Sequence, residues 1–555
     1  MLNDTSETGA MSGLSDALSG QGGATPGAYA TTPTDTAYNF VATAQAPAQD
    51  GGDLAALMAG SKWSSLDAAS SETIVTYSFA QPQDSTYSYD DNGFPVTLSG
   101  FSAADEQVTR DVLARIESVC NVQFVEVPDT ADQCGVLRYA YSQKPNTMNF
   151  AGYAFFPSAA ADGGDVWIGA AQAAPQWSFY RPDLILHETL HAMGLKHPFD
   201  GAAVLSTSDN IISNTVMSYS TLPGSTAGYM SAYPNSPMPL DVAALQYLYG
   251  SNSATNAGNT VYDLSGADFQ TGFHCVWDGG GSDVFDASGV AHGVTLDLNE
   301  GALSNVGAVV TARGTVNGAL ATGSYTSTVS IAEGAVIENA VGSAYADSIT
   351  GNDTANWLLG GAGNDRLEGR GGSDVLDGGT GIDTAVYAAS RTGYTVTNNG
   401  ANFTVSGGAT GADSLVNVER LSFTDAQVAL DLNGNAGTVA KLLGAVLGAG
   451  AVHNAHYVGL GLTLLDGGMG AQALAQLALD SALGAHASNT AVVDLLYANV
   501  TGVAPSAAAE AHYTALLDNG SYSPAGLAQL AADSALNQGH IDLVGLAAHG
   551  LDYVA

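Results

Sequence analysis

GSAYADSIT GNDTANWLL GGAGNDRLE GRGGSDVLD GGTGIDTAV, residues 342–386, is a nine-residue period written five times. The first four positions of a row tend to Gly, the sixth is Asp or Asn (Asp347, Asn356, Asp365, Asp374, Asp383), and the eighth is usually apolar (Ile349, Leu358, Leu367, Leu376, Ala385). Glycines such as Gly361, Gly363, Gly372, Gly379 and Gly381 permit a tight turn and expose carbonyl oxygens. A sixth-position oxygen then completes a calcium site between successive turns, and the apolar residue fills a narrow core. The first two rows have lost most of their glycines, so the sites from Gly360 to Asp383 are the best supported.

Upstream lies a different chemistry. In LILHETLHAMGLKHPF, residues 184–199, His187 and His191 are four apart on an apolar-faced helix, so both imidazoles project from one side and can share a tetrahedral zinc. Glu188, next to the first ligand, can reach a water at the metal without ligating it, the place of a general base. Gly194 can take the positive φ that ends a helix and reverses the chain, which lets His197 return as a third ligand.

His-Glu-x-x-His-x-x-Gly-x-x-His is the metzincin motif. SNTVMSYS, residues 213–220, supplies the methionine turn expected of that group, with Met217 as the floor of the site. Tyr219, two residues on, narrows the resemblance to serralysins; by that resemblance it ligates zinc in the resting enzyme and moves to stabilise the oxyanion. PLDVAALQYLYG, residues 239–250, looks like the helix that closes serralysin protease domains. Gly164, Asp165, Val166, Trp167, Ile168 and Gly169 resemble the edge strand on which such enzymes lay an extended peptide.

The repeat resembles the RTX parallel β-roll, and VWDGGGSDVFDASG, residues 276–289, resembles its start in serralysins. TNAGNTVYDL, residues 255–264, looks like the loop that shares its calcium, with Asn256 where the family places Arg. This resemblance implies calcium ligands at Asn256, Gly258, Thr260, Asp278, Gly280 and Asp283.

The expected architecture is therefore an α+β metzincin protease domain, a parallel β-roll/β-sandwich RTX domain and a small all-α C-terminal domain. The expected spans are a flexible leader or propeptide over 1–52, the protease over 53–250, the roll over 251–432 and the helical module over 433–555. The module holds a duplication: LAQLALDSALG at 474–484 returns as LAQLAADSALN at 527–537, and His456-Tyr457 is echoed by His512-Tyr513. Those histidines lack a second ligand at chelating spacing and read as capping or packing residues.

Composition sets the limits. The chain of 555 residues carries 53 Asp plus Glu against 13 Lys plus Arg, a net charge of -40, which excludes nucleic acid as a partner and favours a bound cation. Three cysteines cannot build a disulfide framework; a Cys120–Cys134 pair is compatible with the sequence and not decided by it.

There is no Lys or Arg before Lys62, no apolar h-region and no 18-residue apolar span, which argues against an N-terminal export signal and a transmembrane helix. The chain ends Asp552-Tyr553-Val554-Ala555, as serralysins end, and the resemblance implies uncleaved C-terminal type I secretion from a Gram-negative cell. The expected function is a secreted, calcium-stabilised zinc endopeptidase acting on proteins or peptides, with a cell-surface or surface-layer partner for the helical module. The alternative is a calcium-dependent surface-layer-associated protein or adhesin with narrow or vestigial protease activity.

Overall fold

The computed structural model describes residues 40–554 apart from 48–51, 67–71, 82–89, 92–93, 96–97, 131–132, 148–149, 161, 401 and 409–410. Most of the expected leader lies outside the described residues. The chain divides into two compact units: one runs to Asp283 and takes in Asn299–Ile337, and the other comprises Val284–Leu298 and everything from Glu338. Gly250 is thus not where the units part, and the helical region shares a unit with the roll.

The first unit is α+β. Its main sheet runs Val122–Glu126, Thr73–Phe79, Leu137–Ser142, Asp165–Gly169, Gly152–Ala154, parallel except for the last strand and for the short Leu98–Ser99, which pairs antiparallel with the end of Leu137–Ser142. Helix Ala103–Val119 starts at Ser102, whose hydroxyl accepts the Asp105 N–H and satisfies one orphan donor of the first turn. It places Val112, Leu113 and Ile116 in the core at three- and four-residue spacing. Helix Arg181–Ala192 packs beneath the sheet with nearly every side chain buried.

The second unit shows why the nine-residue rows exist. Alternate rows feed two facing parallel sheets, with Asn339, Trp357 and Val375 in register on one and Ser348, Arg366 and Thr384 on the other. Each pair of rows is one full coil of 18 residues. All five eighth-position residues are fully buried between the sheets. Leu367→Ala would leave a cavity in a coil too narrow to collapse, so we expect it to cost about 2–5 kcal/mol, read as a lower thermal midpoint in calcium.

The helices that follow, from Asn435 to His549, share one apolar cluster that also takes in Ala429 of the last roll strands and Leu551. Arg420, buried in the roll, is paired with Asp431 and Asp466 at 2.5 and 2.8 Å. Strand Leu551–Tyr553 adds antiparallel to Gln427–Ala429 of the roll. The duplicated text folds in two ways. Its first copy is one helix, Ala471–Leu483, whereas the second breaks at Asp533, where Ser534 caps a new helix and buried Asn537 donates to the Ala532 carbonyl. His456 and His512 are exposed. Among the described residues no helix is long and apolar enough to cross a membrane.

Candidate metal centre and active site

Helix Arg181–Ala192 carries His187, Glu188 and His191, and its end decides where the third histidine goes. Gly194 has φ +103°, and a side chain there would stand 2.4 Å from the Ser61 carbonyl. Only glycine meets both demands. The last helical carbonyls are satisfied from outside, Ala192 by the Trp63 indole N–H at 2.9 Å and Met193 by the Tyr249 hydroxyl at 2.7 Å. Lys196 then donates to the carbonyls of Ala56, Asp200 and Ala203, fixing the loop that returns His197.

The three imidazoles converge. His197 Nε2 lies 3.2 Å from His187 Nε2 and 3.1 Å from His191 Nε2, and all three rings are buried. The outer nitrogens are held by acceptors: His187 Nδ1 by the Val216 carbonyl at 2.7 Å, His191 Nδ1 by the Leu195 carbonyl at 2.8 Å, and His197 Nδ1 by Asp200 at 3.0 Å. Protons sit on Nδ1 in that arrangement, so the Nε2 lone pairs face one another and call for a cation between them. Tetrahedral bonds of about 2.0–2.1 Å to zinc place ligand nitrogens about 3.3–3.4 Å apart, close to the observed spacing. The site therefore fits zinc.

Tyr219 completes the cluster, its hydroxyl 2.8 Å from His197 Nε2. The turn before it is held by Asp241, whose carboxylate accepts the Val216 and Met238 N–H groups, each at 2.9 Å, and Met217 within that turn is fully buried. Burial pushes the Asp241 carboxyl up to about 6. Neither Asp200 nor Asp241 is marked by the motif; Asp200 could have been suspected from its place three residues past His197. Phe199, half exposed, stacks on His197 with centroids 4.9 Å apart and borders Tyr219.

One expectation is corrected. Asp165–Gly169 is not the edge strand: it pairs with Leu137–Ser142 on one side and Gly152–Ala154 on the other, and all five residues are buried. A strand bonded on both sides has no row of donors and acceptors left for a peptide. The sheet ends instead on Gly152–Ala154, where a side chain at Gly152 would stand 2.8 Å from Glu188 Oε1. The apolar run Val166-Trp167-Ile168 is the mark of an interior strand.

The expected calcium residues fall into two groups. In the first unit, the Thr260 N–H donates to Asp283 at 2.7 Å and the Thr260 hydroxyl donates to the Gly258 carbonyl at 3.0 Å. Asn256 and Asp278 are linked through the Tyr262 hydroxyl, and the Gly280 N–H donates to Asp278 at 2.8 Å. The two segments are thus one loop cluster.

In the roll the sixth-position carboxylates form a ladder. Asp365 accepts the Asp347 N–H, Asp374 that of Asn356 and Asp383 that of Asp365, each at 2.8 Å and each two rows back. Asp413 and Glu419 continue it, accepting the Asp374 and Asp383 N–H groups at 3.1 and 2.9 Å. Sequence reading missed both because hairpin Tyr394–Gly407 interrupts the period. The second oxygens of Asp365, Asp374 and Asp383 are buried without a hydrogen-bond partner. Burial raises these carboxyls to about 6, 7 and 7. Stacked glycines leave no room for side chains beside them: a Cβ on Gly381 would lie 1.6 Å from the Gly363 carbonyl oxygen. Cys120, Cys134 and Cys275 are buried.

Residues 240–441 match the family described as Peptidase M10 serralysin C terminal. Serralysin G of Dickeya chrysanthemi is 35% identical over 326 residues, 53% of this chain and 62% of that protein. Over these stretches the chain is similar to serralysins. Serralysin of Proteus mirabilis is 30% identical over 51% of this chain and 62% of its own length, and metallopeptidase AprA of Pseudomonas marginalis 31% over 47% and 57%. The chain thus spans about three fifths of the length of the curated relatives it matches. Its matched C-terminal region begins in the helix Pro239–Tyr249, which carries Asp241.

Proposed function

We propose that the chain is a secreted zinc endopeptidase that cuts peptide bonds in extended protein segments. The observation that carries this is the convergence of His187, His191 and His197 with the Tyr219 hydroxyl on one point, with Glu188 following His187 on the same helix. His187, His191 and His197 would hold the ion through Nε2. When bound, zinc polarises the scissile carbonyl and lowers the pKa of water in the open position.

Glu188 takes the proton of the attacking water and returns it to the leaving amine. The Tyr219 hydroxyl, leaving His197, donates a hydrogen bond to the oxyanion of the tetrahedral intermediate. Asp200 holds His197 in the correct tautomer. The substrate lies as an added strand along Gly152–Ala154, which sets its scissile bond over Glu188.

The same proposal assigns calcium to the roll, at Asp365, Asp374 and Asp383 with the glycine carbonyls between coils, and to the Asn256–Asp283 loop cluster. Extracellular calcium modules bind at about 10⁻⁴–10⁻³ M, so such a roll gains its calcium stabilisation only outside a cell, which suits an exporter of loosely folded chains. The helical module is assigned to a surface partner.

The test is metal exchange. Hydrolysis of an unfolded protein should vanish when a chelator removes zinc in the presence of millimolar calcium, and return with one equivalent of zinc per chain. A folded, zinc-loaded wild type that cuts nothing would favour the adhesin alternative.

A further inference from the structure

The segment that follows Tyr219 is gripped by residues far along the chain. Thr221 is fully buried; its hydroxyl donates to the Arg313 carbonyl at 2.7 Å, and its own carbonyl accepts from the Tyr325 hydroxyl at 2.7 Å. Both partners belong to one β-hairpin, Val310–Val316 and Ala319–Tyr325, closed by Asn317-Gly318 with φ of 52° and 78°, the pattern of a tight two-residue turn. The first hairpin strand pairs antiparallel with Ser225–Met230, with a bulge between Ser225 and Gly228.

The fit is close enough to need glycine on the hairpin. A Cβ on Gly314 would stand 2.6 Å from that of Ser225, and one on Gly323 would stand 2.7 Å from the Leu222 side chain. Tyr325 is itself steadied by Phe273, ring centroids 5.3 Å apart. The backbone around Tyr219 is therefore tied on both sides: by Asp241 at Val216, and by the hairpin at Thr221. Only the phenol is left to move.

We propose that this hairpin is a positioning element for Tyr219, acting through the Tyr325 hydroxyl, and that it sets where the phenol stands relative to the metal centre. The inference rests on the hydrolytic reading given above. It makes catalytic competence depend on residues 310–325, so the metal site is complete only after a segment about a hundred residues downstream of it has folded back. A phenol spread over a wider range of positions meets the transition state less often while substrate binding is untouched, and the loss appears in kcat.

Tyr325→Phe removes the hydroxyl and keeps the ring on Phe273. With a quenched fluorogenic peptide, we expect kcat to fall about tenfold and KM to stay within about twofold, at unchanged zinc content. In a Tyr219→Phe background the same substitution should cause no further loss, because the residue through which it acts is gone. Amide hydrogen exchange gives a readout independent of turnover: residues 220–226 should exchange faster in Tyr325→Phe, with or without zinc, while 187–197 stay unchanged. Thr221→Val, which removes the second grip, should do the same.

Equal loss of kcat in both backgrounds, or unaltered exchange at 220–226, would overturn the proposal. A wild type that hydrolyses nothing would instead overturn the hydrolytic reading, and the exchange at 220–226 would still decide whether the hairpin holds the segment.

Discussion

Glu188→Ala is expected to hold one zinc per chain and to lose peptide hydrolysis by about 10²–10⁴-fold, the range set by removing a general acid–base group. The reasons are separable. The nitrogens that would bind the metal are oriented by Val216, Leu195 and Asp200, none of which involves the Glu188 side chain. Its carboxylate lies instead against Gly152, at the end of the sheet where a substrate strand would run. Metal analysis together with steady-state rates checks both halves. Retained turnover would remove Glu188 from the chemistry, and lost zinc would make it a structural support of the ligands.

The second large effect concerns calcium and pH together. Burial lifts Asp365, Asp374 and Asp383 to about 6, 7 and 7, against an ordinary value near 3.8. A raised carboxyl means that the folded state holds protons the unfolded chain has released. Their contribution to stability is therefore present below about pH 4 and is lost as pH rises through about 6–7. Calcium needs the ionised carboxylates and reverses the slope. With a calcium chelator, the thermal midpoint of the roll should fall from pH 5 to pH 8. With calcium at a hundred times its dissociation constant, each site should add about 2.7 kcal/mol, and the midpoint should rise over the same range. Equal midpoints at pH 8 with and without calcium would sink the assignment.

Much of this was legible because two periods are explicit in the text. Four-residue and six-residue histidine spacings with Gly194 between them fix one metal geometry, and nine-residue rows fix a coil. What escaped is what depends on tertiary pairing. DVWIG has the same apolar run whether a strand lies at the rim or one place in, and only the short partner Gly152–Ala154 decides between them. Asp413 and Glu419 join the carboxylate ladder 39 and 36 residues after the positions they serve, instead of 18, so no period announces them. Thr221 and Arg313 meet across 92 residues. Repeated words also mislead: the two LAQLA segments share letters, yet a buried Asn537 bends the second where Gly484 merely ends the first.

The helical region is fastened to the roll at both of its ends. Asn435 follows directly on the last roll strands, and Leu551–Tyr553 returns to the same sheet, with the Val554 N–H on the Ala455 carbonyl and the Asn398 amide on Ala547. A stretch fastened at both ends is a handle, not a tail. Anything bound to it is carried by the roll, because both ends of the helical region are joined to roll strands.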